Sequence, residues 1–271
     1  MIDNKLKSAI YGLAVADAVG VPYEFKMRGS FRAIDMVGHG SHNQPKGTWS
    51  DDTSMTLATC ASIKECGRID VSDMLAKFRA WAHKGKYAID GRVFDIGCTT
   101  SEALYTGKGK DDERSNGNGS LMRIIPLAFT DASDEDIKAV SAITHAHDIS
   151  KAACVCYVHI ARLLIQGEEL SDILPNIESP FDRIRTISTL GESEIKSGGY
   201  VVSTLEAALW AVSTTGNYRD AVLKAVNLGN DTDTVGAVAG GLAGIIYGLE
   251  GIPHEWLDSL KGKDIIENSL F

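Results

Sequence analysis

The chain has 271 residues, 44% of them hydrophobic and 23% charged, and a formal net charge of −9. That composition is globular, and no linker, charge block or internal repeat divides it, so one domain over residues 1–271 with a sizeable core is expected. The acidic balance argues against a general nucleic-acid-binding surface, which needs a basic patch, while leaving room for a local anion pocket.

Helical periodicity dominates from the start. Lys5 and Lys7 precede an apolar run through Ala14-Val15-Ala16, which imitates a short signal peptide. Tyr11 and Gly12 break that run, and Leu6, Ile10, Leu13 and Ala14 recur at helical spacing, so a first helix over 3–19 is the better reading. Further helices are expected over 53–65, 70–84, 95–105, 119–129, 134–144, 149–166, 200–214, 218–228 and 233–248. Ser133 followed by three acids marks one helix start plainly, because acids suit the positive end of the helix dipole. Alternating strand patterns are scarce. Long loops over 20–50, 85–94, 106–118 and 188–199 are the places where function is expected. The fold class is therefore all-α.

The last long helix carries Gly236, Gly240, Gly241, Gly244 and Gly248. Each interior glycine costs about 1 kcal/mol of helix stability. So many together predict a central, buried helix that its neighbours approach closely, with a buried N-terminus. The apolar run Val235 to Tyr247 is shorter than the roughly 20 residues of a membrane span. Cys60, Cys66, Cys98, Cys154 and Cys156 read as reduced thiols of a cytoplasmic protein rather than a disulfide framework.

Two acidic segments carry the chemistry. GTWSDDTSM spans 47–55, and NDTDTVGAVAGG spans 230–241. Either one, taken singly, reads as helix capping, since Asp, Ser and Thr oxygens accept orphan N–H bonds. One cap needs one residue, whereas Asp51 with Asp52 and Asp231 with Asp233 set like charges side by side. Buried carboxylates without a partner are costly, and a cation removes the cost. The available ligand atoms are carboxylates and the hydroxyls of Ser50, Thr53, Thr232 and Thr234, a hard oxygen set that suits Mg²⁺, Mn²⁺ or Ca²⁺. The second segment is not an EF-hand, because the twelfth position counted from Asp231 is Leu242.

Seven segments in order carry a resemblance: ADAVGVPYE (16–24), GTWSDDTSM (47–55), FDIGCTT (94–100), NGNGSLMRIIPLA (116–128), THAHD (144–148), GGYVVSTLEAALWA (198–211) and GNDTDTVGAVAGGLAGIIYG (229–248). Over nearly the whole chain the sequence resembles the ADP-ribosylglycohydrolase family, whose founding members remove ADP-ribose from dinitrogenase reductase and from protein arginine. The resemblance implies a compact, orthogonal all-α bundle with a central pair of Mg²⁺ ions, or Mn²⁺ in their place. It assigns Ser50, Asp51, Asp52, Asp231, Asp233 and Thr234 as metal ligands.

The same resemblance places Asp95 at the scissile ribose and Glu24 near the metals as a mobile carboxylate. Asn118, Gly119 and Ser120 belong to a diphosphate cradle expected at a helix start. His145 approaches the phosphates or ribose, and Tyr200 stacks on adenine. Cys98 stands where the family commonly has Asn, and there it tunes linkage specificity. Asp17, an acid on an apolar helix, is expected in a supporting structural role. Read without the resemblance, Asp95 caps helix 95–105, Tyr200 packs in the core, and Cys154, Cys156 and His159 hint weakly at zinc. The implied partners are an ADP-ribosylated protein as substrate and ADP-ribose as product, with no nucleic acid and no membrane, for a monomer. Two rivals stand beside this: an HD-type phosphohydrolase, prompted by His147-Asp148, and an inactive ADP-ribose-binding or structural relative.

Overall fold

The computed structural model describes residues 2–271, with side chains from Asn4 onward. Twelve α-helices form among them: α1 (Ile2–Gly20), α2 (Asp51–Cys66), α3 (Val71–Lys84), α4 (Cys98–Thr106), α5 (Asp134–Ser141), α6 (Asp148–Gln166), α7 (Leu170–Asn176), α8 (Val201–Ser213), α9 (Tyr218–Val226), α10 (Thr232–Tyr247), α11 (His254–Ser259) and α12 (Lys263–Ser269). Short 3-10 turns join them, and no strand forms among the described residues. Among the described residues, β-type pairing is limited to isolated bridges such as Gly117 to Tyr200. No described helix is long and apolar enough to cross a membrane.

The architecture is built around α1 against α10. A Cβ on Gly240 would lie 2.3 Å from the Ala16 Cβ and 2.4 Å from the Gly12 oxygen. Glycine is thus required for the two backbones to approach, as the glycine pattern predicts. Helix α10 is buried from Thr232 through Ile245, so its N-terminus lies inside the protein. At the other end of the seam, a Cβ on Gly20 would lie 2.4 Å from the Asp233 Cα. That contact presses the end of α1 onto the acidic start of α10. Helix α2 packs on α1 and α10, which brings the two acidic helix mouths together.

Three expectations need correction. The stretch 119–129 is not an α-helix but two 3-10 turns, Leu121–Arg123 and Ile125–Phe129. Pro126 supplies the reason: it lacks an N–H and disfavours the α conformation at Ile125. The helix expected from residue 95 begins at Cys98, with Gly97 at its N-cap. Asp95 therefore caps nothing; its backbone is left-handed, at φ 63°. Helix α5 stops at Ser141 rather than running to 144. Helices α7, α11 and α12, six or seven residues each, went unread because so few turns establish no period.

Candidate active site

Ser50 is the N-cap of α2, where its hydroxyl oxygen accepts the Asp52 N–H and its O–H donates to Asp52 Oδ2 at 2.8 Å. Asp17, fully buried on α1, clamps this turn from behind. Its carboxylate accepts the Ser50 N–H at 2.9 Å, the Thr53 N–H at 3.1 Å and the Thr53 hydroxyl at 2.6 Å. That is the supporting role expected of Asp17. Across the seam, Thr234 donates to Asp52 Oδ2 at 3.4 Å, and Asn118 donates from Nδ2 to Asp231 Oδ2 at 2.8 Å.

The acids converge. Carboxylate oxygens of Asp17, Asp52 and Asp233 lie within 4.8 Å of one another, and ligand atoms of Glu24, His42, Asp95 and Asp233 form a second such group. Asp52 Oδ1, Asp231 Oδ1 and Asp233 Oδ2 are buried with no hydrogen-bond partner. Three orphaned anionic oxygens at one place are a large desolvation cost that hydrogen bonds leave uncompensated. A hard divalent cation satisfies them, so the residues present fit a metal. The capping reading survives only for Ser50; Asp231, at the N-cap of α10, makes no side-chain cap bond.

Electrostatics agree with this geometry. Burial, reinforced by neighbouring carboxylates, drives Asp51, Asp52 and Asp233 well above the usual carboxylate range. Burial raises Asp231 too, against the opposing hydrogen bond from Asn118. Asp17 is pushed up to about 7 by burial, opposed by its hydrogen bonds to Thr53 and Ser50. Asp95 is pushed up to about 7 by burial and then by the charge of Glu24. Glu24 is pushed up to about 8 by burial and then by Asp231.

Above these acids lies a cavity of about 410 Å³, walled by Glu24, Asp51, Asp95, Cys98, Asn118, Gly119, His145, Asp231 and Thr234 among others. Gly119 is needed for its shape, because a Cβ there would lie 2.8 Å from His145 Cε1. His145 is buried, and burial beside Arg123 pushes it down to about 3, so its imidazole is neutral. Arg123 donates to Thr144 Oγ1 at 2.8 Å, and the Thr144 hydroxyl is bonded to His145 Nδ1 at 2.9 Å. That network fixes the orientation of the neutral ring on the cavity wall.

Two of the assigned residues lie elsewhere. Ser120 is fully buried beneath the cavity, where its oxygen accepts from Ser141 and the Cys154 thiol. The turn that follows it is a single 3-10 turn, so a helix dipole does not contribute to the cradle. Tyr200 is neither core nor cavity wall: it is 47% exposed at the start of α8 and lines a neighbouring groove with Arg183, Lys196 and Glu206. The Val201 N–H bonded to the Asn116 oxygen holds it beside the glycine turn but facing outward. Cys98 stays exposed in the first turn of α4, on the cavity wall.

His42 was not anticipated. It reaches Glu24 Oε2 through Nε2 and lies 4.0 Å from Asp95 Oδ1. Its only trace in the sequence is the polar, glycine-bearing GHGSHN within the loop 20–50. The weaker motifs dissolve. His159 pairs with Asp134 at 2.7 Å, away from the buried Cys154 and Cys156. His147 caps α6, and the Asp148 side chain is 96% exposed beside Lys151, which removes the phosphohydrolase pair.

An all-α fold with paired acidic helix mouths under a polar cavity defines a class. The ADP-ribosylglycohydrolase family profile matches residues 2–270, and the chain belongs to that family, whose members are ADP-ribosyl-bond hydrolases. Among its relatives is the ADP-ribosylarginine hydrolase Tri1 of Serratia proteamaculans (strain 568), 36% identical over 98% of this chain and 77% of that protein. The ADP-ribosyl-[dinitrogen reductase] glycohydrolase of Rhodospirillum rubrum is 30% identical, covering 97% of this chain and 92% of that one. A solved ADP-ribosylglycohydrolase-related protein complex superposes with a TM-score of 0.83 at 30% identity, over 99% of this chain and 96% of the other.

Proposed function

We propose that this protein hydrolyses the N-glycosidic bond between ADP-ribose and arginine on modified proteins. Two Mg²⁺, or Mn²⁺ in their place, would be held by Ser50, Asp51, Asp52, Asp231, Asp233 and Thr234. The observation that carries this reading is the set of three orphaned carboxylate oxygens, from Asp52, Asp231 and Asp233, beneath a polar cavity. The similarity to relatives named as ADP-ribosylarginine hydrolases supports the linkage. It also weighs against the inactive relative, since every acid of both motifs is present.

When bound, such ions supply Lewis acidity and a template for ribose hydroxyls and water. The rest falls to the chain. Asn118, whose amide N–H groups bond Asp231 and Thr204, holds the cavity wall beside the acids, His145 faces the ADP-ribose oxygens, and Gly119 gives them room. Tyr200, beside the glycine turn, offers a ring to the adenine at the outer rim. Cys98, exposed on the cavity wall, shapes which linkage fits. Asp95 orients the attacking water and takes its proton as the oxygen bonds to the anomeric carbon. The carbon–nitrogen bond breaks, and Glu24, a buried carboxyl beside Asp95, hands a proton to the departing guanidine nitrogen. We further read the enzyme as monomeric and, from its five free cysteines, cytoplasmic.

The test is release of free ADP-ribose from matched arginine-linked and serine-linked peptides. Release from the arginine peptide alone supports the reading. Release from the serine peptide alone would move the linkage, and tight ADP-ribose binding without release from either would make the protein a binding relative.

A further inference from the structure

Glu24 is held at two points by a loop that no motif of the site includes. Ser41 donates from Oγ to the Glu24 backbone oxygen at 2.5 Å, and the neighbouring His42 is hydrogen-bonded through Nε2 to the Glu24 carboxyl. The loop is built for that contact. Gly40, at φ 66°, packs where a Cβ would lie 2.0 Å from the Pro22 oxygen. Asn43 closes the turn through its N–H to the Gly40 oxygen at 3.2 Å, and Gln44 donates to the His42 oxygen at 3.2 Å. The imidazole rests against Phe25, 5.7 Å away between ring centres, and Phe94, at 5.1 Å. It is 15% exposed.

Backbone strain concentrates around the same contact. Among the described residues, seven non-glycine residues have positive φ, and Phe25, His39, Asn43, Asp95 and Asn230 all belong to the segments that meet here. For Phe25 such a conformation is a steric outlier. It is held by its N–H to the Asn230 oxygen at 2.6 Å, answered by the Asn230 N–H to the Lys26 oxygen at 2.8 Å. Strain that the surroundings over-determine marks functional sites.

We propose that His42 is a positioning residue: it fixes the Glu24 carboxylate beside Asp95, so that the two acids stand ready for proton transfer before substrate arrives. This rests on the catalytic role given above to Glu24. Hydrogen bonding rather than charge does the work, so a neutral donor at position 42 can replace the imidazole.

His42→Ala, His42→Gln, Glu24→Gln and the double variant His42→Ala/Glu24→Gln should be compared with wild type. His42→Ala should lower kcat on the order of 10–100-fold with little change in KM, and His42→Gln should recover much of the loss. In the Glu24→Gln background, His42→Ala should cost nothing further, because the residue acts through Glu24. Mn²⁺ titration should be unchanged in His42→Ala, and a crystal structure of that variant should show Glu24 displaced from Asp95. Additive losses, a lost metal, or Glu24 unmoved would overturn the proposal. If wild type releases no ADP-ribose from any linkage, the reaction assignment fails on its own, and the position of Glu24 in the variant still decides the role of His42.

Discussion

Without a divalent cation, the buried acids of this site face one another uncompensated, and folding stability should then depend on pH in a particular direction. Asp95 sits at about 7 in the folded protein against an ordinary 3.8, and Glu24 at about 8 against 4.5. Both are raised, so between those values the folded chain holds protons that the unfolded chain has released. Their contribution is present in full in acid and is lost as pH rises through about 7 to 8. The Asp95 side chain is 18% exposed, and its shift alone corresponds to on the order of 4 kcal/mol. Glu24 interacts with it and adds to the effect, and for Asp95 alone the loss between about pH 5 and pH 8 is about 3 kcal/mol. That is roughly 6–12 °C in Tm for a chain of this size. The assay is thermal melting in EDTA and in millimolar Mg²⁺ at both pH values. Mg²⁺ should raise Tm little in acid and strongly at the higher pH, where the acids are ionised and able to bind it. A Mg²⁺ shift of equal size at both pH values would refute the linkage of the site's buried acids to the metal.

Asp17→Asn replaces an acceptor of three hydrogen bonds with an amide that satisfies only part of them, so we expect about 2 kcal/mol of destabilisation by denaturant titration, and weaker Mn²⁺ binding. Gly240→Ala forces a methyl group against Ala16 and the Gly12 oxygen, and it should cost about 1–3 kcal/mol in the same assay while leaving the metal ligands intact. His145 is held neutral, so a pH–rate profile should show no step from it between about pH 5 and 8; His145→Ala should raise KM on the order of 10-fold, and His145→Gln should retain most of the affinity.

Much of the site was legible because its signal is local. Ser50-Asp51-Asp52 and Asp231-Asp233-Thr234 each sit within one turn, and their like charges pose a question that a shared cation would answer. The glycines of α10 announced close packing for the same local reason. What escaped depends on distance along the chain. His42 meets Glu24 across eighteen residues of irregular loop, with no period to read. Ser120 and Tyr200 lie in the right segments, but Pro126 turns an expected helix into 3-10 turns, and Tyr200 lines a neighbouring groove, half exposed. Asp95 reads as an N-cap from composition, and only its left-handed backbone shows that it is held for something else.

The central claim is that two acidic helix mouths share a pair of divalent cations, and Mn²⁺ titration followed by electron paramagnetic resonance tests it most directly. The account predicts two Mn²⁺ per chain in the wild type, magnetically coupled, with Asp231→Ala and Asp52→Asn each losing at least one. No stoichiometric Mn²⁺ in the wild type, or the same binding in both variants, would contradict it.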